Sequence, residues 1–388
     1  MKEIGLYVHI PFCKQKCKYC DFTSFAGKEN LIQEYIKWLC VEINEVGEGI
    51  KLDVENKRSE EVLVKTIYIG GGTPSYIDEA HIKAIMQHIY DNYQVDKEAE
   101  ITIEINPGTV NESKLQEYKI AGVNRLSIGV QSTNNKLLEM LGRIHTYEEF
   151  ENTYKLARNV GFNNINIDFM LGLPNQTMED IENILEAVQK LQPEHISVYS
   201  LILEEDTPIT KLVNQNKLIM PQDEFEREMY WAIKKGLEQQ GYKHYEISNF
   251  AKNDMEAKHN TDCWNQKEYM GFGAGAHSYV DGARFSNTDE LQDYIKNYKE
   301  DKPENNFILS EKQNEKSKMQ EYMMLGLRKI DGVDCDKFET KFSKDVFEVF
   351  GTEIEKLLKQ ELIEVETGII KLSNKGIDLA NLVWEEFI

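Results

Sequence analysis

The stretch LYVHIPFCKQKCKYC, residues 6–20, runs from an apolar alternation straight into three cysteines spaced Cys13-x3-Cys17-x2-Cys20. Half of the chain's six cysteines thus stand within eight positions. In LYVHI, Leu6, Val8 and Ile10 fall on one face of a strand and Tyr7 and His9 on the other, because successive side chains alternate across the pleat. The lysines and glutamine between the cysteines do not belong in a core, which argues against three structural thiols gathered by chance. Three thiolates on one loop suit a cubane [4Fe-4S] cluster held at three irons with the fourth open. A zinc ion with His9 as fourth ligand is the competing assignment. Structural zinc usually takes two separated ligand pairs, and the chain has no second CxxC and no HxxxH.

Five further runs read as strands: TIYIGG (66–71), EITIEIN (100–106), RLSIGVQ (125–131), NINIDFML (164–171) and HISVYSLIL (195–203). Helical stripes lie between them, such as Leu31, Ile32, Tyr35, Ile36 and Leu39, and Ile181, Ile184, Leu185, Val188 and Leu191, the latter opened by Thr177 and Asp180 as a capping box. Alternating β and α units predict parallel strands joined by right-handed crossovers, an α/β fold. One face of each strand is apolar. The other carries Thr102, Glu104 and Asn106, then Ser127, Gly129 and Gln131, Asn166 and Asp168, and Ser197 and Tyr199. Helices covering the apolar face leave these polar faces converging on the interior of a barrel or partial barrel; a sheet facing water is the alternative. In such folds chemistry sits beyond the carboxyl ends of the strands. The cysteine loop, GGGTP (70–74), Glu104, Gln131 and Asp168 all fall at that one rim.

The 388 residues predict two or three domains, and the net charge of −22 argues against a general nucleic-acid binder. The opening MKEIGLYVHI lacks the basic segment and apolar run of a secretory signal, and no stretch approaches ~18 apolar residues. A cytoplasmic, reducing setting is expected, in which clustered cysteines are ligands rather than disulfides. Cys40 and Cys335 read as small buried hydrophobes. GFGAGAHS (271–278) is a poor dinucleotide loop and reads as a turn packed against a large flat ligand. Beyond residue 205 the pattern changes: a long helix at 221–240, a strand at 243–248 and a polar connector at 286–310. Residues 311–388, with 17 acidic and 12 basic side chains, have the helix and strand order of a winged helix but the charge of a lid or docking module. Three domains are expected, at 1–205, 206–310 and 311–388.

YVHIPFCKQKCKYC, with its CxxxCxxC spacing, resembles the radical S-adenosylmethionine (SAM) superfamily. HIPFC, GGGTPS, EINPGT, GVQS and HNTDCWNQKEYMGFGAGAHS resemble its oxygen-independent coproporphyrinogen III oxidase group over nearly the whole chain. The resemblance implies a partial (β/α)6 barrel with a C-terminal winged-helix-like domain. It implies that Cys13, Cys17 and Cys20 hold a [4Fe-4S] cluster, that SAM chelates the open iron, and that an external electron donor feeds the cluster to cleave SAM into a 5′-deoxyadenosyl radical. Tyr7 would lie against the sulfonium. Gly71, Gly72 and Thr73 would meet the methionyl amino group, and Glu104, Gln131, Arg143 and Asp168 the carboxylate and ribose. Each has a plainer alternative; for Arg143 it is a solvated surface charge.

The group divides into decarboxylating oxidases and heme chaperones. Oxidases resemble CxxxCxxCxC and carry a long N-terminal extension, whereas here Asp21 and Phe22 follow Cys20 and six residues precede Tyr7. His259-Asn260-Thr261-Asp262-Cys263-Trp264 resembles the chaperones' HNxxYW heme-binding motif, with Cys263 at the tyrosine position. The expectation is a heme chaperone with His259 as axial ligand to heme iron, delivering heme to membrane-associated respiratory acceptor proteins. The oxidase is the alternative, and a homodimer is left open.

Overall fold

The computed structural model describes residues 1–55 and 61–388. Six parallel strands, β1 (Lys2–Ile10), β2 (Val62–Gly71), β3 (Gln94–Ile105), β4 (Arg125–Gln131), β5 (Ile165–Leu171) and β6 (His195–Ser200), pair in chain order. Each is joined to the next by helix: α1 (Ile32–Glu55), α2 (Glu79–Asn92), α3 (Glu112–Ile120), α4 (Asn135–Leu141) with α5 (Tyr147–Val160), and α6 (Met178–Leu191). Thr146 and Thr177 open α5 and α6 with reciprocal capping boxes that satisfy otherwise orphaned backbone donors. The alternation works as the sequence predicts. Leu6, Val8, Ile69, Ile103, Ile128 and Ile167 are wholly buried beneath the helices in one core with Tyr35, Leu39, Phe150 and Ile184. Each such aliphatic side chain contributes about 1.5–3 kcal/mol of burial. The polar residues face inward.

Chain beyond residue 205 extends the same sheet at both edges. β7 (Lys243–Glu246) pairs antiparallel with β8 (Asn249–Ala251), which in turn adds antiparallel to β6, while β9 (Tyr269–Phe272) pairs parallel to β1 and is followed by β10 (His277–Val280), β11 (Ala283–Asn287) and β12 (Phe307–Lys312). The resulting order, β12-β11-β10-β9-β1-β2-β3-β4-β5-β6-β8-β7, is an α/β partial barrel whose two ends do not meet.

Two sequence readings are corrected here. Residues 286–310 are no polar connector: besides β12 they hold a helix, Leu291–Lys299, whose Leu291, Tyr294, Ile295 and Tyr298 are buried. That spacing is one helical face, and it packs on α1 through Tyr35–Tyr294 (5.2 Å between ring centroids) and Trp38–Tyr298 (5.8 Å). The Asn, Asp and Lys residues occupy the opposite face, so average composition hid the stripe. The glycine turn at 271–278 packs on protein rather than on a flat ligand. Gly273 (φ +96°) has no room for a side chain, since a Cβ there would stand 2.3 Å from the Tyr35 hydroxyl. Its N–H donates to buried Glu42 at 2.8 Å. Gly275 abuts Thr23, so the turn braces the cysteine loop from behind.

A second core runs from Met319 to Phe387. Helices Glu315–Gly326, Cys335–Phe342 and Val346–Lys359 pack there with a small sheet of Val333–Asp334, Ile363–Glu366 and Ile369–Leu372, a winged-helix-like arrangement. It docks on the barrel extension through Ile247 N–H to Arg328 O (3.0 Å) and Ile330 N–H to Tyr245 O (3.0 Å). The Arg328 guanidinium lies between the indoles of Trp264 (4.4 Å) and Trp384 (4.9 Å). Among the described residues, no helix is long and apolar enough to cross a membrane.

Candidate functional site

The cysteine loop is pinned where it leaves and rejoins the barrel. Phe12–Cys13 pairs with Phe25–Ala26, and Phe25 N–H donates to Pro11 O at 2.7 Å. Cys13 lies under the glycine turn that ends β2: Gly72 N–H donates to Ile10 O at 2.9 Å, and a Cβ on Gly72 would stand 2.9 Å from the Cys13 sulfur. Each of the three sulfurs has a polar partner. Thr73 Oγ1 donates to Cys13 Sγ (3.5 Å), Arg143 Nη1 donates to Cys17 Sγ (3.6 Å), and Ser24 Oγ lies 3.8 Å from Cys20 Sγ. Burial pushes the Cys13 and Cys20 thiols up, and the neighbouring thiols add to it for both. A coordinating metal reverses that balance and holds the thiolate.

His9 offers no free nitrogen to a metal, for Nδ1 meets the Tyr7 hydroxyl at 2.9 Å and Nε2 meets Thr23 O at 2.8 Å. Among the described residues no three His, Cys, Asp or Glu groups are gathered as a single metal ion requires. The zinc assignment with His9 therefore loses its fourth ligand, whereas a cubane takes each sulfur on a separate iron.

Around this loop stand the other rim residues. Glu104 accepts from the Tyr68 hydroxyl (2.8 Å) and Gly71 N–H (3.2 Å), and burial, with nearby Asp168, pushes its carboxyl up to about 7. Tyr7 stacks on Tyr68 at 6.2 Å. Asp168, also raised by burial, accepts from Asn166 Nδ2 (2.7 Å) and Ser127 Oγ (3.3 Å). Arg143 is half-buried rather than a solvated surface charge: its Nη2 donates to Asn106 Oδ1 (2.7 Å) and to Gly129 O. Gln131, at φ +72° beside a bulge in the β4–β5 pairing, turns its amide back toward Gly129. The structure thus brings Tyr7, Gly71, Gly72, Thr73, Glu104, Gln131, Arg143 and Asp168 to the rim that carries Cys13, Cys17 and Cys20. It adds Tyr68 and Asn106. The alternation in TIYIGG puts Tyr68 on the polar face with Thr66 and Gly70.

His259 is elsewhere. It lies in a short helix, Lys258–Trp264, at the amino-terminal ends of the strands, 7% exposed. Its Nδ1 meets Thr66 Oγ1 at 2.8 Å, and its ring lies 5.4 Å from that of Tyr68. Glu100 accepts from Lys258 N–H and His259 N–H, both at 3.1 Å. Burial lowers the imidazole pKa to about 4, and it pushes the Cys263 thiol, one helical turn on, up to about 12.

A partial barrel with three cysteines at its rim defines the radical SAM class, and residues 7–188 match the Radical SAM superfamily while 314–379 match the HemN C-terminal domain. The solved structure of Escherichia coli coproporphyrinogen III oxidase, HemN, a radical SAM enzyme, superposes with a TM-score of 0.84 at 25% identity, covering 100% of this chain and 90% of that one. Heme chaperone HemW of Lactococcus lactis subsp. lactis is 36% identical over 387 residues, 100% of this chain and 98% of that protein. HemW of Bacillus subtilis is also 36% identical, covering 98% of each. The chain belongs to the HemW family of the radical SAM superfamily.

Membership of the superfamily implies a [4Fe-4S] cluster and SAM, and the rim fits both. The sulfurs have polar partners, as thiolate ligands do. Buried Arg143 Nε has no partner among the described residues, which leaves a donor for an anionic group.

Proposed function

We propose that this chain is a heme chaperone: it holds a [4Fe-4S] cluster and SAM at the barrel rim, binds heme, and passes heme to acceptor proteins. The observation that carries this reading is the 36% identity across essentially the full length of relatives named heme chaperone HemW. Cys13, Cys17 and Cys20 hold the cluster. Tyr7, Gly71, Gly72, Thr73, Glu104, Gln131, Arg143 and Asp168 surround SAM. When bound, the cluster supplies an electron to the SAM sulfonium. The protein's part is to fix the loop, exclude water and place charge: Arg143 is the cation, and Glu104 and Asp168 are the acceptors.

His259 is the axial ligand to heme iron in this reading. Its depressed basicity keeps the imidazole neutral at pH 7, the form that binds metal. Thr66 occupies Nδ1, so Nε2 is the nitrogen left for iron, and the buried ring has to be uncovered to reach it. Membrane-associated respiratory proteins are the proposed acceptors, an external reductant feeds the cluster, and cytoplasmic residence and a homodimer belong to the same proposal.

The test is anaerobic. Cluster-loaded protein is given hemin, then an apo-acceptor; a stable complex that passes its heme on is the expected result. Parallel tubes hold coproporphyrinogen III, SAM and reductant. Protoporphyrinogen formation without heme transfer would assign the chain to oxidase chemistry, which the shared HemN fold accommodates. His259→Ala is expected to alter the Soret band and heme stoichiometry, and an unchanged spectrum removes the ligand assignment.

A further inference from the structure

Inside the barrel, a chain of buried hydrogen bonds runs from the rim to the helix that carries His259. Ala257 N–H donates to the Tyr245 hydroxyl oxygen at 3.3 Å. Tyr245 OH meets His195 Nε2 at 2.7 Å, and His195 Nδ1 meets Asn166 Oδ1 at 2.6 Å. Asn166 Nδ2 donates to Asp168 Oδ1 at 2.7 Å. The two ends set the direction. An amide N–H can only donate and an ionised carboxylate can only accept, so each intermediate group has one arrangement: Tyr245 donates to Nε2, and neutral His195 donates from Nδ1 to Asn166. Burial pulls the His195 pKa well below 6.5, consistent with the neutral ring this order requires.

Ala257 is the residue before the helix Lys258–Trp264. That helix needs two positions if His259 is to meet a ligand, because its imidazole is now buried inside the barrel beside Thr66. There is room: a cleft of about 650 Å³, lined by Asn164, Asp254, Met255 and Lys258 among others, opens beside the segment. We infer that Tyr245, His195 and Asn166 are positioning residues that tie the helix carrying His259 to occupancy of the rim at Asp168. A carboxylate that accepts from a rim ligand is a weaker acceptor for Asn166, and in a polarised chain the weakening passes along to Ala257. SAM then loosens the helix start and eases the release of His259. This inference rests on the proposed heme-binding role, but its first readout needs no heme.

Hydrogen exchange of amides 257–264 is measured on cluster-loaded full-length protein with and without SAM, in wild type and in Tyr245→Phe, which keeps the ring and deletes the hydroxyl. At least fivefold faster exchange with SAM is expected in wild type, falling below twofold in the variant. Heme titrations with and without SAM are expected to show the same pattern, and heme is expected to shift SAM affinity by the reciprocal factor. Exchange that ignores or is slowed by SAM, or a SAM effect that persists undiminished in folded Tyr245→Phe, overturns the inference. Heme binding that ignores SAM sinks the coupling and spares the chaperone reading. SAM-dependent exchange without heme binding does the reverse.

Discussion

Arg143 reaches the Cys17 sulfur with Nη1 at 3.6 Å while its Nη2 donates to Asn106 Oδ1 at 2.7 Å. One half-buried guanidinium therefore ties the cysteine loop to the end of β3 and, through Gly129 O, to β4. The planar fork makes this possible, and a lysine could serve only one of these acceptors at a time. Arg143→Met is expected to leave two buried acceptors unpaired, at about 1–3 kcal/mol each. Thermal unfolding reads the loss, and the iron-to-protein ratio after reconstitution should fall with it. Arg143→Lys should recover stability in part and cluster content less. Full iron loading in the Met variant would show that the loop does not depend on this cation.

Gly71 adopts φ +119°, and a Cβ there would stand 2.8 Å from the His9 ring. Gly71→Ala is expected to lower the urea midpoint at unchanged slope, by at least ~2 kcal/mol, from left-handed backbone strain plus the displaced imidazole. His9 is hydrogen-bonded to Tyr7 and Thr23, so SAM affinity should fall as well.

The pH dependence of the cofactor-free protein carries a sign set by Glu104. Its carboxyl titrates at about 7 in the folded chain against the ordinary 4.5. Between these values the native state keeps a proton that the unfolded state has lost. The stabilisation is therefore complete below pH 4.5 and disappears as pH rises through 7, on the order of 3 kcal/mol for this group. Glu104→Gln is expected to flatten the fall in stability between pH 5 and 8. His259 acts oppositely: its pKa of about 4 supports stability above 6.5, lost as pH drops through 4.

The bond between Thr66 Oγ1 and His259 Nδ1 holds the proposed heme ligand in its buried position. Thr66→Val keeps the shape and removes the partner. With about 1 kcal/mol less to overcome, apparent heme affinity should rise roughly fivefold with an unchanged Soret maximum. Weaker or equal binding would mean that heme is taken up without moving His259.

Arg328 between Trp264 and Trp384 joins the C-terminal domain to the helix of His259. Arg328→Ala is expected to split thermal unfolding into two transitions, the C-terminal one earlier, and to expose tryptophan to fluorescence quenchers.

The amino-acid sequence alone determined the fold class and the rim. Period-two alternation in LYVHI, EITIEIN and RLSIGVQ sorts side chains onto two faces by local geometry, and CxxxCxxC puts three sulfurs on one loop whatever lies around it. Spacing could likewise place His259 on a motif. Tertiary structure alone decided where that motif goes: 193 positions separate Thr66 from His259, and no local period encodes their 2.8 Å contact. The same holds for Arg143, whose placement depends on acceptors contributed by two different strands, and for the helix at 291–299, whose apolar stripe is a local period but whose partner, α1, is not encoded in it. Periodicity reports what one element does to its own side chains. Which elements meet is settled by the packing of the whole chain.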